Sequence, residues 1–594
     1  MRHEDQLRSH QSDRAMAWTK LVVFAMIVGF GLLLVRVGQM KLRPDAQLAQ
    51  AVSPRLSSLS ELAKRGDLLD ARHRVLATST VAYRLFVDPT VVSDAQTIAV
   101  DIAEVIDADP VEIDQRILAR PGRRYVVIDH ELDDWQAHAI RQANLTGVGL
   151  QAHLVRHYPH GETGAGVIGM VGFEHTGLGG MEHLFEATLA PRDGRLTYLR
   201  DANRRALWID PEAHRPAEDG GNVQLSIDLV IQQFIEQRLE EAVKEFNAGG
   251  GRAIVLDCRT GEIRAMCDVL NPRPDWDEVT TDPGRDIHRA LGRNRCVTDP
   301  YEPGSTFKPF VWAVATELGR ADPEEILPTP SAPAYRTSQG RRIRDSHYHG
   351  PVSWRTVLIK SINSGMAIVA ERLTHDELQG AVARFGFGRK TGCGLGGESP
   401  GLVTSSANWN HYTQTSVAVG HEIAVTPMQM VRAFSVFARD GTLPAIRITA
   451  ATTEDETYPV RHQVIPPEIA KLVREVLRDV MLEGTGRNAQ SDRYRIFAKS
   501  GTAQLPKPQG GGYFEDRYVS SFIGGAPLDD PRIVVLCVID DPDKSRGHYG
   551  GAIAGPVVRD IIDYTLTYLG VEPDVDQALV LHDSLRLDDL SVRE

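Results

Sequence analysis

Cysteine is scarce. The 594 residues hold five, Cys258, Cys267, Cys296, Cys393 and Cys537, an odd number, widely spaced and without a Cys-x-x-Cys pair. That pattern argues against a disulfide framework or a zinc site and fits buried or free thiols. Positive charge is also in deficit: 66 Lys and Arg against 79 Asp and Glu leave a net charge of −13. Phosphate backbones need a basic face, so no nucleic-acid partner is expected. No Gly-x-x-x-x-Gly-Lys-Ser/Thr occurs, and neither the glycines at 510–512 nor GTG at 484–486 forms a phosphate loop. The chain has no internal repeat and no low-complexity tract.

Long apolar runs are absent save one. Residues 21–35, LVVFAMIVGFGLLLV, carry no charge. At ~1.5 Å per residue they reach roughly 22 Å, short of a bilayer core of about 30 Å. Trp18 suits an interface and Lys20 and Arg36 can snorkel outward, which lengthens the span to 17–40. A cleaved signal peptide needs a small-residue site near the run, and Ala49-Gln50-Ala51 lies too far beyond it. The expectation is an uncleaved, single-pass anchor. Arg2, Arg8, Arg14 and Lys20 precede it while Arg36, Lys41 and Arg43 follow, a slight bias towards a cytoplasmic N-terminus with the remainder outside the cytoplasm.

A chain of this length needs several cores. Its 42% hydrophobic and 24% charged content is ordinary for globular material. Residues 41–240 read as mixed α/β, with short alternating pieces over 65–89 and an irregular Gly- and His-rich stretch at 153–189. A short strand then precedes a helix capped by Asp228, with Ile231, Phe234, Ile235 and Leu239 at helical spacing. After Gly249-Gly250-Gly251, runs at 252–258 and 262–269 predict a hairpin. Three further strands are predicted at 494–505, 518–527 and 532–540, with helices such as 305–319, 355–373 and 467–482 between. Strands at both ends of a helical stretch imply one antiparallel sheet closed by distant segments, an α+β architecture. The last twenty or so residues are acidic and loosely held.

The chemistry concentrates at YEPGSTFKPF, 301–310. A helix beginning at Ser305 exposes free N–H groups there, which favours an alkoxide or an oxyanion. Lys308 lies one turn on, on the same face, while Phe307, Phe310, Val311 and Val314 can bury the other side. To accept a proton, Lys308 must fall from about 10.4 by roughly 3 units through burial and a nearby positive charge. Alone, Ser-x-x-Lys is equally a serine N-cap before a surface lysine. Two more fragments harden it: Ser361-x-Asn363, and Lys499-Ser500-Gly501-Thr502 inside a predicted strand. The trio, in this order, is that of penicillin-binding proteins and class A β-lactamases. His347 and His349 could share a strand face as metal ligands, but without a third ligand nearby they read as solvated turn residues, and no metal or cofactor is expected.

With these fragments the sequence resembles the class B penicillin-binding proteins, monofunctional peptidoglycan D,D-transpeptidases. The likeness runs from the anchor to about residue 570 through KSINSGMAIVAERL, VGHEIAVTPMQM, AKSGTAQ and GGAIAGPVVRDII, and upstream through RGDLLDARHRVLATS and GLGGMEHLFEATL. YEPGSTFKPF is similar to the septal, cell-division branch. The resemblance implies a cytoplasmic tail (1–16), an anchor (17–40), an elongated pedestal or dimerisation-like domain (41–245), a β-lactamase-like transpeptidase domain built on a five-stranded antiparallel sheet (246–570) and an acidic tail (571–594). It places the catalytic domain outside the cytoplasmic membrane.

The resemblance also implies roles. Ser305 becomes the acyl-enzyme, Lys308 is the base, Ser361 relays a proton to the leaving amine, and Asn363 holds the peptide amide and orients Lys308. Lys499 lowers neighbouring pKa values and attracts the substrate carboxylate. Ser500 and Thr502 donate hydroxyls, and Gly501 lets the peptide approach. The oxyanion hole is the pair of N–H groups of Ser305 and Thr502. An edge strand carrying KSGT can accept the peptide as an added strand. The implied partners are D-Ala-D-Ala stem peptides, β-lactams, a polytopic membrane glycosyltransferase and other division proteins. A serine β-lactamase or β-lactam sensor and a non-catalytic division scaffold remain open. Against the first, no Glu-x-x-x-Asn lies between Asn363 and Lys499; against a bifunctional enzyme, Glu-Asp-x-x-Phe-x-x-His is absent from 41–240.

Overall fold

The computed structural model describes residues 2–42, 56–200, 206–209, 214–273, 282–332, 334–451, 462–507 and 511–575. Arg43, the Ala49-Gln50-Ala51 site, Gly510 and most of the acidic tail lie outside them. The chain divides into two compact units, Met1–Ala63 with Asp193–Glu218, and Lys64–Arg192 with Asp219–Glu594. In the first, the helix Arg2–Leu42 contains the segment Met16–Lys41, of mean hydropathy 2.5 and wholly unburied, long and apolar enough to cross a membrane. The same unit has a three-stranded antiparallel sheet with Gly194–Arg200 between Leu56–Glu61 and Ala206–Ile209.

The second unit opens on a sheet in which Val75–Val87 pairs with both Val126–Leu132 and Val148–His157. Helices Ala95–Ile106, Pro110–Leu118 and Asp134–Ala143 cover it, each started by an aspartate, Asp94, Asp109 or Asp133, whose carboxylate accepts a first-turn N–H. The stretch 153–189 is less irregular than its composition suggests. Its first residues continue a strand, and Ala165–Ile168, Gly180–Leu184 and Glu186–Leu189 are short helices. It is held by Glu182, whose carboxylate accepts from Arg65 Nε and Arg156 Nε, both at 2.7 Å, with all three side chains no more than 1% exposed. Each charge there depends on its partners, because a lone buried ion has no solvent to screen it.

The rest of the unit is built on α1 (Leu229–Glu245), β1 (Gly250–Asp257), β2 (Ile263–Leu270), α2 (Lys308–Glu317), α3 (Trp354–Ile359), α4 (Asn363–Ala370), α5 (Pro467–Glu483), β3 (Phe497–Pro506), β4 (Tyr513–Ala526), β5 (Ile533–Asp540) and α6 (Gly550–Tyr568). The sheet order is β2-β1-β5-β4-β3, antiparallel throughout. The early hairpin meets the late strands where Ile533 pairs with Asp257 and Asp540 with Gly250, as the strand pattern predicted. β1 and β5 are buried at every position, so both faces of the sheet are covered. One face packs on α1 and α6 through Ile231, Ile235, Leu239, Val255, Phe522 and Val558. The other meets the helical region through Ile254, Leu536, Phe310 and Val431. Asp228 caps α1 as expected, accepting from Val230 N. Yet α1, which the sequence placed with the pedestal, shares its core with this sheet.

Two predicted helices are divided. At 305–319 a 3₁₀ turn, Gly304–Phe307, precedes α2, because Pro309 in the first turn of α2 lacks the N–H needed to continue an α-helix back to Ser305. At 355–373 the apolar pattern runs on, but Ser361 takes a left-handed φ of 58° and separates α3 from α4. All five cysteines are buried and free.

Candidate active site

The nucleophile turn is held by segments far off in the chain. Tyr301 exchanges two 2.9 Å backbone bonds with Val425, and Gly304 N donates to Gly420 O at 3.0 Å. Thr306 Oγ1 donates to Pro303 O at 2.8 Å. Phe307, Phe310, Val311 and Val314 are buried, as the helical spacing predicted, and Phe310 packs against Phe385, Phe387 and Phe437. β3 lies against the turn so closely that a Cβ on Gly501 would sit 2.6 Å from Ser521 Oγ, 2.8 Å from Pro303 O and 2.9 Å from Thr306 Cγ2. The glycine is therefore demanded first by the protein's own turn, and not only by an approaching peptide.

Ser305, Ser361, Asn363, Ser500 and Thr502 line one cleft of about 500 Å³. Lys308 and Lys499 lie beneath it, both 0% exposed. Lys308 Nζ donates to Ser361 O at 2.7 Å, Ser361 Oγ at 3.2 Å and Asn363 Oδ1 at 2.6 Å. Lys499 Nζ donates to the same Ser361 Oγ at 3.0 Å and to Ser500 O at 3.0 Å. One hydroxyl thus stands between two amines. Burial pushes Lys308 down to about 7, with the Asp345 charge acting in the opposite sense. Lys499 is driven well below the ordinary lysine range, by burial first and by the neighbouring Lys308 charge second. Burial of Lys308 is thus the larger cause of its shift, and the influence between the lysines falls on Lys499.

Several site residues carried no sequence signal. Asp345 Oδ1 accepts from Asn363 N at 2.5 Å and Ser364 N at 3.0 Å, which places a carboxylate on the first turn of α4 and fixes Asn363 under Lys308. Asn363 Nδ2 in turn donates to Arg344 O at 2.9 Å. Thr485 Oγ1 and Ser500 Oγ are 2.6 Å apart. Gly550 N, at the start of α6, donates to Thr502 Oγ1 at 3.1 Å. Glu302 accepts from Tyr513 Oη at 2.9 Å and from Glu422 N at 3.0 Å, and its carboxylate lies 2.9 Å from His421 Nδ1. The start of β4, after the glycine run, is thereby tied beside the nucleophile turn. His347 and His349 are exposed on the cleft rim. Among the described residues, no group of three or more His, Cys, Asp or Glu is arranged to hold a metal ion.

Comparison with known proteins shows the family of the chain. Residues 251–563 match the family model of the penicillin binding protein transpeptidase domain, and residues 60–225 that of the penicillin-binding protein dimerisation domain. The chain belongs to the penicillin-binding protein transpeptidase family. It is 31% identical over 526 residues to stage V sporulation protein D of Bacillus subtilis (strain 168), covering 86% of this chain and 80% of the relative. It is 29% identical over 575 residues to peptidoglycan D,D-transpeptidase FtsI of Escherichia coli (strain K12), covering 96% and 94%. The crystal structure of penicillin binding protein 3 from Mycobacterium tuberculosis, complexed with aztreonam, superposes with a TM-score of 0.64 at 26% identity, covering 87% of this chain and 98% of that one.

Proposed function

We propose that this protein is a serine D,D-transpeptidase that crosslinks peptidoglycan stem peptides through an acyl-enzyme on Ser305. The observation that carries the reading is the Lys308 amine, buried, brought to about 7 and in contact with Ser361 and Asn363 below the nucleophile turn. Near neutral pH about half of it has a free lone pair. Ser305 Oγ attacks the carbonyl of the penultimate D-alanine while its proton passes to Lys308. The tetrahedral oxyanion is met by the backbone N–H groups of Ser305 and Thr502. On collapse the C–N bond breaks, and Ser361, hydrogen-bonded to both lysines, carries a proton to the departing D-alanine. The amine of a second stem peptide then attacks the ester, forms the crosslink and returns a proton to Ser305. A β-lactam opens on the same serine. Asn363 holds the donor amide, and Ser500 and Thr502 face its terminal carboxylate.

A β-lactamase would need a carboxylate free to activate water. Among the described residues lining the cleft the carboxylate is Asp345, whose Oδ1 is committed to two N–H groups of α4. The helix Arg2–Leu42 supports a membrane anchor at 17–40, and the slight excess of basic residues before it favours an extracytoplasmic catalytic domain; the family matches at 60–225 and 251–563 support a pedestal over 41–245 and a transpeptidase domain over 246–570. Glycan polymerisation then falls to a polytopic membrane glycosyltransferase, with other division proteins at the septum. The test is a fluorescent penicillin with intact-protein mass spectrometry. One adduct is expected on Ser305, lost in Ser305→Ala and released over hours rather than seconds. An adduct mapped to another side chain refutes the assignment, and rapid release favours a hydrolase.

A further inference from the structure

We infer that Arg487 binds the terminal carboxylate of the donor peptide, the duty that the family resemblance gave to Lys499. The inference rests on the transpeptidase reading and deepens it. Lys499 is ill-placed for that duty. Its amine is wholly buried, and its bonds run to Ser361 Oγ and Ser500 O at 3.0 Å each, on the protein side of β3. Burial also favours its neutral form. A carboxylate reaching the cleft needs a cation that faces it.

Four other basic side chains line the cleft besides Arg487. Lys360 is engaged, its Nζ donating to Glu483 O at 2.5 Å. His421 is paired with Glu302 at 2.9 Å. His347 and His349 stand on the rim near Asp345. Arg487 is exposed, lines the same cleft and carries no hydrogen bond or ion pair to another described residue. The residues on either side of it are tied down. Thr485 is bonded to Ser500 at 2.6 Å, Gly486 N to Val480 O at 3.2 Å, and Ala489, fully buried, to Gly486 O at 2.9 Å. The guanidinium therefore rises from a fixed turn beside the first hydroxyl of the KSGT strand. The second hydroxyl, Thr502, accepts from Gly550 N at 3.1 Å, which leaves its own proton free to donate. With Thr485 Oγ1 as the donor in its bond to Ser500, both strand hydroxyls keep a proton for a ligand, and together with a planar guanidinium that can make two parallel N–H bonds they compose a carboxylate subsite. One oxygen of the Asp345 carboxylate in this cleft, Oδ1, accepts from two α4 N–H groups.

The test uses the full chain in detergent and follows acylation of Ser305 by benzylpenicillin, whose carboxylate stands for that of the terminal D-alanine, against benzylpenicillin methyl ester. The wild type should acylate with the acid about 10- to 100-fold faster, the range for a charge-assisted hydrogen bond. Arg487→Ala should cut the acid rate by about that factor and the ester rate far less, and Arg487→Lys should recover part of the preference. A parallel loss with acid and ester, or an unchanged acid rate, overturns the inference and marks Arg487 as structural or idle. So does loss of the preference in a His347→Ala/His349→Ala variant while Arg487→Ala retains it. A wild-type protein that forms no Ser305 adduct with either compound overturns the transpeptidase reading, and this inference with it.

Discussion

The pH dependence of acylation is the sharpest consequence of the buried lysine pair. With Lys308 at about 7, its neutral fraction is about one tenth at pH 6 and about nine tenths at pH 8. If the neutral amine takes the Ser305 proton, the acylation rate should climb roughly ninefold over that interval and flatten above it. A lysine left at its ordinary 10.5 would be neutral in only about one molecule in 3,000 at pH 7, and the rate would rise tenfold per pH unit past pH 9. Asp345 supplies an internal control, since its charge raises Lys308 against the effect of burial. Asp345→Asn keeps an oxygen for the two N–H groups of α4 but removes the charge, so the midpoint should move to lower pH. Stopped-flow quenching of tryptophan fluorescence by a slowly deacylating cephalosporin, from pH 5.5 to 9.5, reads both profiles. A rate independent of pH across this range, or a midpoint that moves upward in Asp345→Asn, would refute the assignment of Lys308 as the base.

Three further outcomes follow from the packing. Lys308 is neutral-favoured when folded and ordinary when unfolded, so the unfolded chain binds more protons between pH 7 and 10.5 and stability rises with pH across that window, the full cost of about 5 kcal/mol applying below pH 7. The stability difference of Lys308→Met over wild type, from urea unfolding of a soluble form lacking residues 1–40, should therefore shrink as pH rises from 7 to 10; a constant difference contradicts the shift. Gly501→Ala must displace Pro303 or Ser521, both within 3 Å of the new methyl, and should lower penicillin acylation by about 10²-fold with a stability loss of about 1–3 kcal/mol; wild-type acylation would disprove the tight seating of the turn. Glu182→Gln leaves the buried Arg156 without its carboxylate and Arg65 with Glu186 alone, and should cost about 3–5 kcal/mol in the same unfolding assay; a loss below about 1 kcal/mol would refute the dependence of Arg156 on Glu182.

The chemistry-bearing residues were legible because they sit in short fragments whose spacing has a local cause. Ser305 and Lys308 are one turn apart, and Ser361 and Asn363 flank the start of a helix. What stayed hidden depends on contacts between loops. Asp345 lies 18 residues before Asn363 with no periodic relation to it, and only the folded path of 344–345 brings its carboxylate to α4. Thr485 and Glu302 are similarly silent in sequence: Thr485 meets Ser500 across the short connection into β3, and Glu302 meets Tyr513 only once the whole helical region between them has folded. The break at Ser361 was invisible because apolar spacing continues on both sides, whereas a positive φ at serine is a tertiary choice. α1 was assigned to the wrong neighbour for a related reason: an amphipathic stripe declares that a face is buried, not against what.

The joining of β1 to β5 has a consequence for biosynthesis. Val255 pairs with Val535, so the central pair of the sheet closes a loop of about 280 residues. A nascent chain emerging N-terminus first exposes the bare edge of β1 throughout translation of the helical region, and β3, β4 and β5 arrive within its last hundred residues. The lysine beneath the cleft cannot be dehydrated until that closing step. Antibiotic reactivity should thus appear abruptly, as the final event of maturation, and chains stalled anywhere short of residue 540 should be inert to penicillin and prone to capture by chaperones through that unpaired edge.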